Sequence, residues 1–240
     1  MQKQIIKNLL CLLLISTGFY RVHAQGTENA AATKPSTEEA TVKANAELEK
    51  KAAEWVADLH LDDAAKEKRV SDAIATHMKT IRDWNNEHPF TTVPAGINPA
   101  TGNKLSELDR QVIANSAMPA SVHQALMDAL KKDLAPEQVE AILDKYTIGK
   151  VAFTLKGYKA IVPDLTTEEE AKIVENLKQA REQAIDYKNI RQVSAIFEIY
   201  KTKCEQYLNN NGRNWRQLYK AYTDKVKAEK AAEQKKEKTN

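Results

Sequence analysis

Large apolar residues recur along most of this chain at intervals of three and four. The sets Leu48, Ala52, Trp55, Leu59 and Val70, Ile74, Met78, Ile81 are followed by Ile173, Leu177, Ala180, Ala184, then by Val193, Phe197, Tyr200, Cys204, Leu208, and finally by Trp215, Leu218, Tyr222, Val226. Each set forms one stripe on an α-helix, and such stripes are stable only when packed against one another. The spacing predicts an all-α fold, a bundle of about seven or eight helices interrupted by one long Pro/Gly loop, FTTVPAGINPATGNK, behind His88. The stretch KVAFTLKGYKAIVP (150–163) also alternates like a strand, but an isolated hairpin is marginal in water, so a helix is expected there.

Start and stop signals agree with this reading. Thr166 with Glu169, Ser121 with Gln124 and Ser36 with Glu39 have capping-box spacing. Pro136 suits a first helical position, and Gly212 after three asparagines suits a left-handed stop. Leu61, Leu134 and Leu165 each precede a helix start with acids or an amide in its first turn, which shared capping chemistry accounts for without a repeat.

The ends read differently. Residues 1–24 carry Lys3 and Lys7, an apolar run from Leu9 to Ile15, and the small-residue ending Val22-His23-Ala24, the pattern of a cleavable signal peptide. The expected domains are therefore a signal peptide (1–24), a flexible leader (25–46), a helical domain (47–226) and a charged tail (227–240), in an exported soluble protein, periplasmic or secreted, without a membrane span after cleavage. Removing Lys3, Lys7 and Arg21 leaves 33 of the 36 basic residues against 33 acids, a formally neutral chain. That argues against nucleic-acid binding. Cleavage also leaves Cys204 alone, which rules out an intramolecular disulfide, and its apolar stripe suggests an inert thiol.

Two clusters are candidate ligand-binding sites. In RDWNNEHP (82–89), helical phasing at about 100° per residue puts Trp84 on the apolar stripe with Ile74, His77 and Ile81. His88 stands before Pro89, where the helix must end. The plain reading is a helix terminus. The functional reading is a pocket lip, with Trp84 stacking on a ligand and Arg82, Asp83, Asn85 and His88 giving hydrogen bonds. Sugars fit that chemistry, because their apolar ring faces stack on indole while their hydroxyls want amides and carboxylates. The second cluster, Arg213 and Trp215, reads as core packing with a nearby cation and gains weight only if it adjoins Trp84. No metal or cofactor is expected: HExxH and paired cysteines are absent, and His77 and His88 would lie about 16 Å apart on one helix. No catalytic residue is assigned, because there is no GxSxG elbow and the Glu168–Glu170 run is explained by the helix dipole.

Taken together, RDWNNEHPFTTVPAGINPATG, LDRQVIANSAMPASVH, YTIGKVAF and IFEIYKTKCEQYLNNNG resemble a secreted domain-of-unknown-function family from Bacteroidetes-type Gram-negative bacteria. That resemblance implies a link to polysaccharide-degradation gene clusters and a polysaccharide or oligosaccharide partner, and it carries no catalytic residues. A looser similarity, Leu165-Thr166 with Glu169, is to small periplasmic helical chaperones. The expected function is binding or accessory, in extracytoplasmic glycan metabolism. A periplasmic chaperone or stress adaptor is the first alternative and a glycan lyase or hydrolase the second; the latter requires Arg82, Asp83 and His88 to converge with Tyr158 or Arg213.

Overall fold

The computed structural model describes residues 37–99 and 101–239, with side chains through 234. Among these residues are nine α-helices: α1 Thr37–Ala57, α2 Ala64–Glu87, α3 Glu107–Ser116, α4 Ala120–Asp133, α5 Pro136–Tyr146, α6 Lys150–Ile161, α7 Thr167–Ala184, α8 Ile190–Asn210 and α9 Trp215–Thr239. A single 3₁₀ turn, Phe90–Thr92, and an isolated bridge between Ile97 and Lys104 lie in the long loop. The all-α expectation therefore holds, and 150–161 is a helix. No helix of the described residues is long and apolar enough to cross a membrane.

The chain divides into two compact units after Thr41. Of the first unit only residues 37–41 are described, as the opening turn of α1. The expected signal peptide, residues 25–36 of the expected leader and the Ser36 cap lie outside the described residues. Residues 37–46, expected as flexible leader, are instead helical. Glu38 and Glu39 complement the dipole in the first turn, and the Ala, Glu and Lys that follow are strong helix formers without needing an apolar stripe. The charged tail likewise continues α9 as far as Thr239.

Local chemistry fixes the other helix ends. Thr166 accepts from the Glu169 amide while Glu169 accepts from the Thr166 amide, closing the expected capping box at α7. Pro136 opens α5, with Gln138 accepting from the Ala135 amide. Ser121 caps nothing, because Pro119 (φ −57°, ψ 131°) takes the N-cap place two residues ahead of it and α4 begins at Ala120, and Gln124 bonds Asp128. Ser106 with Asp109 caps α3, and the Asn189 side chain caps α8.

Unit 42–240 buries its stripes in two clusters. The first joins Ala52 and Val56 of α1, Val70, Ile74 and Met78 of α2, Leu126 and Leu130 of α4, Val139 and Ile142 of α5, and Ile185. The second joins Tyr158 of α6, Ile173 and Leu177 of α7, Phe197, Cys204 and Leu208 of α8, and Tyr187. Burying each such side chain contributes about 1.5–3 kcal/mol. Cys204 is a free, fully buried thiol whose pKa burial pushes up, consistent with an inert packing role. The connection between α7 and α8 contributes to both clusters, Ile185 to one and Tyr187 to the other.

Between α5 and α6 the chain reverses through two consecutive left-handed residues, Ile148 (φ 49°) and Gly149 (φ 67°). Gly149 adopts this freely; a β-branched residue does not, at a cost of roughly 1–2 kcal/mol. Ile148 is 69% exposed, so it gains little packing in return. Ile148→Asn is therefore expected to raise stability by about 1 kcal/mol, read as a higher thermal midpoint; a lower midpoint would show that the isoleucine contributes contacts outweighing its backbone strain.

Candidate functional site

The expected residues at the end of α2 form a latch rather than an open lip. Arg82 donates from Nε and Nη2 to the Asp83 carboxylate (2.8 and 3.0 Å) and from Nη1 to Asn45 Oδ1 (2.7 Å). The Trp84 indole donates from Nε1 to the Ala114 carbonyl (3.3 Å), and Asn85 donates to Asn115 Oδ1 (3.3 Å). His88, expected only as the exit from the helix ahead of Pro89, stacks on Trp84 with ring centroids 3.8 Å apart at 16°. Its backbone amide and its Nδ1 both donate to the Trp84 carbonyl, so the ring that leaves the helix is drawn back over the preceding turn. Gln111 donates to the His88 carbonyl, Arg110 donates to the Val93 carbonyl, and the Arg110 guanidinium lies over the Phe90 ring. The long loop is folded onto α3 by these contacts.

Trp215 packs, partly buried, against the second core cluster, and Arg213 stands two residues before it in the α8–α9 turn. Arg213 grips Glu169 with two hydrogen bonds (2.9 and 2.8 Å) and reaches both the carboxylate and the carbonyl of Asp164, fastening the α8–α9 turn to the start of α7. The Arg213 guanidinium holds the Glu169 carboxyl down from 4.5 to about 2, against the opposing effect of desolvation. Trp215 packs on Tyr158 and Tyr219, and the Tyr158 hydroxyl donates to the Lys201 carbonyl. No hydrogen bond or ring contact among the described residues joins this cluster to the end of α2. Arg82, Asp83 and His88 thus do not converge with Tyr158 or Arg213, the arrangement that a lyase or hydrolase reading required.

Arg82 opens on a cavity. A groove of about 320 Å³ runs between α1, α2 and the α7–α8 connection, with Trp55, Tyr146 and Tyr187 as its rings and Lys51, Arg82 and Lys188 as its cations. Trp55 meets Tyr146 edge to face (4.9 Å, 72°), and the Lys51 ammonium sits 5.0 Å from the Trp55 ring. Lys188 donates to Asn86 Oδ1 (2.6 Å), which brings a further residue of RDWNNEHP to the same edge. Glu47 is the carboxylate on this groove. Trp55 was legible in the sequence only as a member of an apolar stripe; nothing there marked it as a groove wall.

Behind Tyr146 lies a polar network that the sequence did not reveal. The Tyr146 hydroxyl meets His77 Nδ1 (3.1 Å), His77 Nε2 meets Asp186 Oδ1 (3.0 Å), and His123 Nδ1 meets Asp186 Oδ2 (2.9 Å). Because a carboxylate only accepts, the ring nitrogens facing Asp186 carry the protons. His77 is 3% exposed, whereas His123 faces a separate surface depression beside Glu182 and Tyr200. Burial raises the Asp186 carboxyl, but hydrogen bonds from His123 and His77 outweigh that and hold it below the ordinary value. The Asp186 hydrogen bond raises His123 above its ordinary 6.5 against desolvation, and burial with the Asp186 charge pushes the Tyr146 phenol well up. The signal that could have revealed this was His77 on an apolar stripe, since a buried imidazole needs partners. Among the described residues no group of three or more His, Cys, Asp or Glu is placed to hold a metal ion.

A family model described as "Protein of unknown function (DUF3826)" matches residues 45–228. The match begins within α1 and ends within α9, so it spans both core clusters, the Asp186 network and all of the groove but Ala44. No curated protein matches the chain at a significant level.

Two outcomes follow from these ion pairs. Arg213→Ala leaves the Glu169 carboxylate, 8% exposed, without its charge partner and is expected to cost about 2–3 kcal/mol. Since Glu169 is depressed on folding, its contribution is present above 4.5 and fades as pH falls toward about 2. Acid unfolding of the variant should therefore begin at higher pH; an unchanged acid midpoint contradicts this assignment. Asp186→Asn should lower stability by about 2–4 kcal/mol at neutral pH and return His123 toward 6.5 in an NMR titration. The raised His123 stabilises fully below 6.5 and loses its contribution as pH rises through its folded value. The lowered Asp186 stabilises above 3.8 and loses its contribution as pH falls through its folded value. The difference between wild type and variant should shrink on both sides of that window, and a pH-independent difference would contradict the pairing.

Proposed function

We propose, for a chain that belongs to the DUF3826 family of proteins of unknown function, a binding role: an exported helical protein that holds an acidic oligosaccharide in extracytoplasmic glycan metabolism. The observation that carries this reading is the convergence of Trp55, Tyr146 and Tyr187 with Lys51, Arg82 and Lys188 on one groove. Rings supply stacking faces for pyranose units, and ammonium and guanidinium groups are the natural partners of uronate carboxylates. The mature chain is formally neutral, so the cations act here as a local patch rather than through the field of the whole molecule. The resemblance to secreted families linked to polysaccharide-degradation clusters supports export and a glycan ligand.

In this reading the expected site residues divide their roles. Arg82 contacts the ligand and Asp83 orients its guanidinium. Trp84, Asn85 and His88 hold the end of α2 against α3, so that Arg82 and Asn86 keep their places. Arg213 and Trp215 stabilise the far cluster and do not touch the ligand.

An oligogalacturonate titrated into the purified protein by calorimetry is expected to bind, with Trp55→Ala weakening affinity about tenfold, equivalent to about 1.4 kcal/mol. The double variant Lys51→Ala/Lys188→Ala should weaken it further and flatten its salt dependence. Binding that is absent, or that Trp55→Ala leaves untouched, overturns the proposal.

A further inference from the structure

The polar residues behind Tyr146 join two separate surfaces. His123 of α4 lines an open depression of about 430 Å³ together with Glu182 and Asp186, while Tyr146 walls the aromatic groove. Between the two the contacts are continuous: His123 Nδ1 to Asp186 Oδ2 at 2.9 Å, Asp186 Oδ1 to His77 Nε2 at 3.0 Å, and His77 Nδ1 to the Tyr146 hydroxyl at 3.1 Å. Tyr146 then meets Trp55 edge to face. His77 is buried, whereas the His123 side chain is 23% exposed. Protons therefore enter and leave this chain of groups at His123.

Hydrogen-bond direction decides what such a proton does. Neutral His77 holds its hydrogen at Nε2, facing Asp186, so its Nδ1 accepts and the Tyr146 hydroxyl donates. That hydroxyl has a competing acceptor in the Ile74 carbonyl at 3.5 Å, so its direction depends on how strongly His77 pulls. While His123 is protonated, its charge compensates Asp186. Once the proton leaves, the carboxylate keeps an uncompensated charge, polarises His77 and draws the Tyr146 hydroxyl toward Nδ1. The groups facing His123 are Asp186 from the α7–α8 connection, Glu182 of α7 (3.8 Å from Nε2) and Tyr200 of α8. The Asp186 hydrogen bond, with lesser help from Glu182, holds the imidazole above its ordinary 6.5 against desolvation. Around Trp55 stand Glu47 and Lys51 of α1, Arg82 of α2, Tyr146 of α5, and Tyr187 and Lys188. None of these is an imidazole, the side chain that ordinarily titrates near neutrality.

We propose that His123 is a proton sensor for the aromatic groove: with its proton bound the groove takes an acidic oligosaccharide more tightly, and without it the uncompensated Asp186 carboxylate shifts Tyr146 against Trp55 and opposes an anionic ligand. The effect on a ligand rests on the glycan reading; the coupling of His123 to Trp55 stands without it.

The test follows the His123 imidazole and the Trp55 indole Nε1–H of the full chain through one NMR pH titration without ligand. Both are expected to move with the same midpoint. Glu182→Gln, at an exposed carboxylate, should lower the His123 midpoint and carry that of Trp55 down with it. His123→Gln, which keeps a donor for Asp186, should remove the Trp55 step, and His60→Gln, at the histidine just past α1, should leave it. A Trp55 signal that ignores the His123 titration, or that holds its midpoint while Glu182→Gln moves that of His123, overturns the proposal. So does a step that survives His123→Gln or vanishes in His60→Gln. An oligogalacturonate titrated on either side of the midpoint should bind about threefold tighter on the acid side and, by reciprocity, raise the His123 midpoint. Equal affinity on both sides overturns the regulation. Absence of binding at both overturns the glycan reading instead, and the ligand-free Trp55 step then decides the sensor by itself.

Discussion

The carboxylate of Asp186 is the contact on which the arrangement depends. It sits on the short connection between α7 and α8, accepts from His77 of α2 through one oxygen and is met by His123 of α4 through the other. A half-buried carboxylate is costly unless its acceptor sites are filled, and two imidazoles on different helices fill them. Its neighbours then have little freedom. Ile185 turns into one core cluster and Tyr187 into the other, so the connection becomes the seam through which both clusters share a register. Lys188, next in line, is carried to Asn86 and to the edge of the aromatic groove.

The same seam explains why the groove has the walls it has. His77 reaches Tyr146 through its other nitrogen, and Tyr146 presents its edge to Trp55. Buried electrostatics on one side of the tyrosine thus position aromatic surface on the other. On that groove three cations meet the rings, with Glu47 as the carboxylate.

The fold was largely legible in the sequence because helical periodicity is a local property. The stripes from Val70 to Ile81 and from Ile173 to Ala184 lie on buried helix faces, and Thr166, Pro136 and Gly212 act where their chemistry places them. The misses at Ser121 and at residues 37–46 are local too: a proline entered α4 ahead of the serine, and good helix formers extended α1 without an apolar stripe. The candidate site was far less legible. Arg82 and Trp84 stand two residues apart, yet one opens on a groove and the other is bonded to Ala114. Asp186 and His77 are separated by 109 positions, and no spacing rule relates them. Trp84 and His88, four residues apart, share a helix face by phasing, but Pro89 takes His88 out of the helix; a pair of hydrogen bonds to one carbonyl at the helix end keeps its ring over the indole.

The three tryptophans are natural reporters for the central claim, because each occupies a different environment: Trp55 in the aromatic groove, Trp84 in the latch at the end of α2, and Trp215 against the second core cluster. The most direct measurement is a ¹H–¹⁵N spectrum of the indole Nε1–H signals during titration with an oligogalacturonate. The account predicts that the Trp55 signal moves saturably while those of Trp84 and Trp215 hold still. Movement led by Trp84 or Trp215, or no movement of any of the three, would contradict it.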